Sequence, residues 1–156
     1  MHFAPIPQMR LLVVCLFIAS ALTAGQKADK AEHVGGTVAG LPRGAGVIDL
    51  TSPRQFVFRT DSADLKIPYD RVNLLEYGQQ VDRRYAMAIV ISPLLLLSKK
   101  RQHFLTIGFA DQTGAQQALV LKVDKRNVRT VLASLEARTG RKVEFQDIEA
   151  RKAGKG

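Results

Sequence analysis

Between Gly46 and Val123, apolar and polar residues alternate in short runs that are separated by turn residues. In the run QFVFR, for example, Phe56 and Phe58 fall on one face and Val57 on the other. A period of two puts successive side chains on opposite faces of an extended strand, which favours a sheet over an amphipathic helix. The runs predict about seven strands, and the short joins between them predict mostly antiparallel pairing.

The period changes after Asp124. In DKRNVRTVLASLEARTG the apolar residues recur at helical spacing, at Val128, Val131, Leu132 and Leu135. This spacing predicts one amphipathic helix over about residues 125–139, with Asp124 as its N-cap and Gly140 at its C-terminal end. A helix this short is marginal alone in water, so its apolar stripe must dock on the sheets. The segment RKVEF that follows predicts one more short strand.

These elements predict a mainly β fold in which one C-terminal helix caps two near-orthogonal antiparallel sheets. We place this domain at residues 44–147 and a frayed basic tail at residues 148–156. Residues 25–43 precede it and include GGTVAGLPRG. Their glycine content predicts either a flexible leader or a first loose hairpin.

The first 24 residues have the pattern of a secretory signal peptide. Arg10 is followed by LLVVCLFIASALTA, an apolar run too short to favour a membrane-spanning helix. Small residues place cleavage near Ala21 or Ala24, so we expect an exported protein, periplasmic or secreted. Cys15 is the single cysteine and lies inside this run. The mature chain would therefore contain neither disulfides nor thiol chemistry.

The composition and the motifs limit the classes of function that this sequence favours. The formal net charge is +9 and the pI about 10.1, which attracts anionic partners in general. Spacings typical of metal, nucleophile or cofactor sites are absent from the sequence, so we predict neither a catalytic site nor a metal or cofactor. His33 and His103 are far apart in sequence, and Asp61 and Asp64 fit turn chemistry. Aromatic residues are not interleaved with basic ones as nucleic-acid stacking requires, so no nucleic-acid partner is expected.

The segment SPLLLLSKKRQHF joins apolar and basic residues, and we predict a corner between two strands here. Length and Pro93 argue against a membrane span. The leucines cover an open sheet edge beside a solvated basic rim, or enter a membrane interface while the cations meet anionic head groups, or form a docking surface for a protein. The tentative binding residues are Leu94, Leu95, Leu96, Leu97, Lys99, Lys100, Arg101 and His103.

Four segments together resemble the pleckstrin-homology-like fold, including its bacterial and GRAM-type relatives. They are GVIDLTSPRQFVF, LKIPYDRVNLLEYG, KKRQHFLTIGFAD with its DQTG turn, and VRTVLASLEARTG. The resemblance covers roughly residues 44–145 and rests on the order of the elements. It implies a binding domain, and such domains often bind phosphoinositides through basic residues near the first hairpin. This chain departs from that pattern, because only Arg43 and Arg54 are charged there.

The sequence therefore favours an exported, non-catalytic binding or scaffolding domain that recognises a protein or peptide at the cell envelope. An added partner strand on an exposed sheet edge would supply main-chain hydrogen bonds without any pocket chemistry. The first alternative is peripheral binding to anionic lipid through the corner from Leu94 to Arg101. A hydrolase of unrecognised type is the second alternative.

Overall fold

Eight strands are joined in one sheet in the computed structural model, which describes residues 29–79 and 102–155. The strands are β1 (Asp29–Gly36), β2 (Gly44–Asp49), β3 (Gln55–Arg59), β4 (Asp64–Pro68), β5 (Val72–Gly78), β6 (His103–Ala110), β7 (Gln116–Val123) and β8 (Glu144–Phe145). The helices are α1 (Val128–Thr139) and α2 (Ile148–Lys155), and a 3-10 turn at Tyr69–Arg71 joins β4 to β5. The mainly β prediction and the short strand after α1 are confirmed.

The sheet has the order β4-β3-β2-β1-β7-β6-β5-β8. All the pairs are antiparallel except the short β5–β8 pair, which is parallel. The sequence predicted two sheets, whereas the described strands form one. The reason is that β1 pairs on both of its sides, with β2 along one edge and with β7 along the other, and so joins the two groups of strands.

The glycine-containing segment before residue 44 is part of this domain. Asp29–Gly36 forms β1, so the hairpin alternative describes the segment and the flexible leader does not. His33 is buried in β1, with Nδ1 at 2.8 Å from the Pro42 carbonyl oxygen and Nε2 at 3.0 Å from that of Gly35. These contacts tie the strand to the loop that follows it. Across the β1–β7 pair, Lys122 Nζ lies 2.9 Å from a carboxylate oxygen of Glu32.

One apolar cluster takes side chains from each strand between β1 and β7 and from α1. Phe56 and Phe58 of β3 are fully buried in it, as are Leu105 of β6 and Leu121 of β7. Full burial of such side chains contributes roughly 1.5–3 kcal/mol each. The shared cluster shows that strands from opposite ends of the sheet order enclose the same core.

Helix α1 docks on this core by the stripe that its spacing predicts, since Val128, Val131, Leu132 and Leu135 are all buried. Gly140 ends the helix at φ 68°, and its amide donates to the Glu136 carbonyl oxygen. The predicted N-cap, Asp124, lies three residues before the observed one, which is Asn127. Asp124 instead forms a turn before the helix, in which its carboxylate accepts the Arg126 amide at 2.8 Å.

The last turn of α1 is anchored by Arg138. One guanidinium nitrogen donates to the Ser52 carbonyl oxygen at 2.8 Å, and the guanidinium carbon lies 5.7 Å from the centre of the Tyr69 ring. Burial raises the pKa of the Tyr69 phenol, which therefore stays neutral. Its hydroxyl oxygen is buried without a hydrogen-bond partner in the described structure. This contact therefore stabilises the helix by ring packing and by the Arg138 hydrogen bond, and not by the hydroxyl.

We expect Tyr69→Phe to leave the free energy of unfolding unchanged, or to raise it by up to about 1 kcal/mol. The reason is that it removes a buried hydroxyl that has no hydrogen-bond partner among the described residues. Urea denaturation of the parent and the variant measures this. Tyr77→Phe is the matched control, since the Tyr77 hydroxyl does contact His103 and its removal should cost about 1 kcal/mol. A cost above 1 kcal/mol at Tyr69 would show that its hydroxyl does have a partner.

The predicted basic tail forms a second helix, α2, so the prediction of a single helix is corrected. The Asp147 carboxylate accepts the Ala150 amide at 2.6 Å and caps the helix. Ala150 and Gly154 are buried, and a Cβ added at Gly154 would lie 2.5 Å from the Phe145 ring. Small residues thus allow a highly charged helix to pack closely. Neither α1 nor α2 has the length and apolarity that a membrane crossing requires.

Candidate functional site

The predicted corner falls mostly on residues that the structure does not describe. Residues 80–101 lie outside the described part, and they include Leu94, Leu95, Leu96, Leu97, Lys99, Lys100 and Arg101. Whether the leucines face inward therefore stays a prediction. His103 is described and begins β6.

His103 forms a polar pair with Tyr77 of the neighbouring strand β5. The Tyr77 hydroxyl contacts Nδ1 of His103, and the two rings stack at 5° with their centres 6.0 Å apart. Burial raises the pKa of Tyr77 to about 12, so the phenol keeps its proton and can donate it to Nδ1. Burial, and then the charge of Lys125, lowers the pKa of His103. At neutral pH the pair is thus uncharged, and in the tautomer in which the Tyr77 hydroxyl donates to Nδ1, Nε2 carries the imidazole proton.

A concave surface runs along β4, an edge strand of the described sheet, and we call it the β4 groove. It has a volume of about 580 Å³ and lies between β4 and the end of the β6–β7 hairpin, which are not paired with each other. Its lining includes four apolar residues, two cations and several polar residues: Val38, Leu65, Pro68, Phe109, Lys66, Arg71, Gln55, Asp111, Gln112 and Gln117. The groove thus combines apolar side chains with cations on β4 and on the 3-10 turn.

The edge of β4 beside this groove has unpaired backbone groups. The backbone bonds that flank the β3–β4 pair involve Ala63, whose carbonyl accepts the Thr60 amide at 2.8 Å, and Tyr69, whose amide donates at 3.0 Å. Bonding groups alternate along an antiparallel strand, so the odd-numbered residues of β4 bond β3. The N–H and C=O of Lys66 therefore point to the open side. In the described sheet, β3 is the one partner of β4.

Two cations of the groove have no counter-ion in the described structure. Neither Lys66 nor Arg71 forms an ion pair with the described residues. Asp111 also lines the groove, but its carboxylate accepts hydrogen bonds from Thr113 and Gln117. Those bonds, first that of the Thr113 side chain, lower the pKa of Asp111 to about 2. The carboxylate is thus held in its own turn, and the two cations remain available to an acidic ligand.

A second cavity lies at the other end of β6, and we call it the α1 pocket. It has a volume of about 570 Å³. Its described lining comes from the ends of β5 and β6, the β7–α1 loop, α1 and α2: Gln79, His103, Lys125, Arg129, Glu149, Lys152 and Ala153. The fold therefore brings the one described residue of the predicted site, His103, to a cavity whose described lining contains three cations and one carboxylate.

The described acidic residues do not converge on a metal site. No group of three or more His, Cys, Asp or Glu side chains that could hold an ion occurs in residues 29–79 and 102–155. Asp61 is exposed and Asp64 lies 3.6 Å from Arg59, both at the turn between β3 and β4 where the sequence predicted turn chemistry. Asp124 pairs with Arg126 at 3.1 Å.

Comparisons with known proteins add no assignment to this geometry, because no protein-family model matches the chain and no curated protein matches it significantly.

Sequence reasoning missed most of the residues that line both cavities. The β4 groove draws Val38, Leu65, Arg71 and Phe109 from four separate segments. No spacing in the sequence can show that these four residues lie close together in the folded chain. One signal was present at β4 itself, since Lys66 and Pro68 are residue types that favour an edge strand. For the α1 pocket the signal was the basic tail. Once this tail is helical, its Lys152 lies at the pocket.

Proposed function

We propose that the chain is an exported, non-catalytic binding domain of pleckstrin-homology-like fold, and that it recognises an extended acidic segment of a protein partner at the β4 groove. The observation that carries this proposal is the open edge of β4, which lies directly beside a groove with apolar side chains and two cations without described counter-ions. The open edge can pair with the backbone of such a segment, the apolar side chains of the groove can contact its apolar residues, and the two cations can bind its acidic residues.

The order of the elements supports the fold. The resemblance to the pleckstrin-homology-like fold implies about seven antiparallel strands in two near-orthogonal groups, followed by one capping helix. The chain has seven antiparallel strands, β1 to β7, and then α1. The single core shared by β3 and β6 is also what a sheet bent into two orthogonal halves would enclose. Helix α1 would then cap the open end of that bent sheet.

The edge of β4 gives the binding mode. An extended partner segment lying along β4 would exchange backbone hydrogen bonds with Lys66, because that residue directs its N–H and C=O outward. Alternate side chains of the segment would point into the groove toward Leu65 and Phe109. Acidic side chains between them would approach Lys66 and Arg71, and charge-assisted hydrogen bonds of this kind contribute roughly 1.5–3 kcal/mol each.

Export rests on the amino-terminal sequence. The apolar run after Arg10 and the small residues near Ala21 and Ala24 support a cleaved signal peptide. A domain that reaches the envelope without cysteine depends on packing for its stability, and the fully buried core agrees with this. The partner would then be an envelope protein. The lipid alternative through Leu94 to Arg101 stays a separate prediction, because those residues lie outside the described part.

We expect a display library of random linear peptides, selected on the chain without its predicted signal peptide, to yield sequences in which apolar residues alternate with Asp or Glu. Lys66→Pro should weaken the selected peptides about tenfold or more, because it removes both the outward backbone N–H and the cation of Lys66, and it should weaken them more than Lys66→Ser, which removes the cation alone. Fluorescence anisotropy of a labelled selected peptide measures the affinity. The double variant Lys66→Ser/Arg71→Ser should weaken binding by at least a similar factor, because it removes both cations and leaves every backbone group in place.

The matched control is Arg141→Ser/Lys142→Ser, which removes the same charge from exposed positions beyond the end of α1. It should bind the selected peptides as the parent does. Equal loss in the two double variants would mean that net charge alone attracts the peptides. Unchanged binding in both Lys66→Pro and Lys66→Ser/Arg71→Ser, with the variants folded by circular dichroism, would place the peptide site elsewhere and overturn the proposal.

A further inference from the structure

We propose that the α1 pocket is a second, independent site that binds a phosphate-bearing anion through Lys125, Arg129 and Lys152, with His103 as a neutral hydrogen-bond donor. The site is separate from the β4 groove and shares no lining residue with it. The ligand class follows from the charges, the donors and the volume of the pocket.

Three elements bring the cations together. Lys125 precedes α1, Arg129 lies in its first turn and Lys152 belongs to α2, yet all three line one cavity. Glu149 is the single carboxylate of the described lining, so the cations exceed it by two. Like charges gathered at one cavity repel one another, and an anion bound between them relieves that repulsion.

Neither lysine of the pocket, Lys125 or Lys152, has a counter-ion among the residues that the structure describes. The nearest acid in sequence, Asp124, is engaged by the Arg126 side chain through bonds of 3.2 and 3.1 Å. Arg129 is held in place because its Nε donates to the Ala153 carbonyl oxygen at 3.2 Å. That bond leaves the two terminal nitrogens of the guanidinium for a ligand.

The remaining donors of the pocket also suit an oxyanion. The hydrogen bond from Tyr77 to Nδ1 leaves the Nε2 proton of His103 as a donor, and the lowered pKa of His103 keeps the ring neutral at pH 7. Helix α1 begins beside Lys125 and Arg129, and its first turn contains no acidic residue. Its amino-terminal partial positive charge therefore adds to the positive potential of the cavity.

The volume and the donor set select the ligand class. A cavity of about 570 Å³ accommodates more than a single phosphate, so a diphosphate or a phosphate ester with a small organic group fits it. A planar guanidinium with two flexible ammonium groups is a donor set typical of phosphate sites. Both a soluble phosphate compound and a lipid head group present this chemistry.

The test uses inorganic pyrophosphate as the probe and the chain without its predicted signal peptide as the protein. We expect isothermal titration calorimetry at low salt to show one binding event. Lys125→Gln/Lys152→Gln should weaken it about tenfold or more, because two charge-assisted hydrogen bonds are lost. These lysines are exposed and form no hydrogen bond or ion pair with the described residues, so the variant should keep the stability of the parent.

The control is Arg141→Gln/Lys142→Gln, which lowers the net charge equally at the far end of α1. It should bind pyrophosphate within about twofold of the parent, as expected when distant surface charges are screened. Equal weakening in both double variants would reduce the effect to net charge and overturn the proposal. Unchanged affinity in Lys125→Gln/Lys152→Gln would overturn it as well.

Vesicles distinguish the two sources of phosphate. If a lipid head group occupies the pocket, phosphatidylglycerol vesicles should bind the parent, and pyrophosphate should displace them. Lys125→Gln/Lys152→Gln should then lose vesicle binding too. If pyrophosphate binds as predicted but does not displace vesicles, or the vesicles do not bind, the pocket takes a soluble phosphate compound. Either result supports the phosphate site and assigns its source.

Discussion

Leu135→Ala should lower the free energy of unfolding by about 3 kcal/mol, within the 2–5 kcal/mol that such core truncations cost. Leu135 is fully buried in the cluster that joins α1 to the sheet. The substitution removes apolar contacts and leaves a cavity where the helix meets the core. Because domains of this size are stable by roughly 5–15 kcal/mol, the effect would be a large share of the total.

Chemical denaturation followed by circular dichroism measures this loss. Thr130→Ala is the matched control on the same helix, since Thr130 is exposed and the change should shift stability by no more than about 0.5 kcal/mol. A loss below 1 kcal/mol for Leu135→Ala would contradict the docking of α1 through its apolar stripe.

Gly36→Ala should cost about 3 kcal/mol or more, because two effects combine at one position. Gly36 has φ 146°, which L side chains rarely adopt. A Cβ there would lie 2.3 Å from the Ala118 carbonyl oxygen, the same atom that accepts the Thr37 amide at 2.9 Å. Relief of the clash must therefore disturb the pairing of β1 with β7. Backbone strain and overpacking each cost roughly 1–3 kcal/mol.

Gly114→Ala separates the two effects. Gly114 lies in the β6–β7 turn with φ 86°, and a Cβ there meets nothing within 4 Å. We therefore expect only the conformational cost, about 1 kcal/mol. Thermal and urea unfolding of both variants measure the difference. Equal losses would mean that the close contact of Gly36 with β7 does not exist in solution, and that β1 is joined to the sheet less tightly than described.

The element types could be read from the sequence because each depends on a local pattern. Alternation predicted the strands that contain Phe58 and Ile107, and helical spacing predicted the stripe that contains Leu135. Gly140 marked the end of α1, since glycine adopts the left-handed conformation at no steric cost. The start of α1 was predicted three residues early, because Asp124 favours an N-cap and an isolated turn through the same backbone hydrogen bonds.

One element was left open and another was misjudged, because both owe their regular structure to long-range contacts. The glycine-containing segment of β1 has weak local preference and becomes a strand through its pairing with β2 and β7. The basic residues of α2 predicted a frayed end, yet Gly154 allows the helix to pack against Phe145. Highly charged segments are usually solvated, but the small residues along one side of α2 let this helix pack closely against the rest of the domain. The prediction of one helix failed for this reason.

The sequence alone thus predicted which segments form strands, which segment forms α1 and where the chain resembles a signal peptide, and it showed that the protein is basic. Local spacing and local charge decide these properties. Only the tertiary structure decided that β1 joins the strands into one sheet, that Lys66 lies on an open edge, and that Lys125, Arg129 and Lys152 share one cavity. Neighbours in space are set by strand pairing and core packing over the whole chain, and no local pattern encodes them.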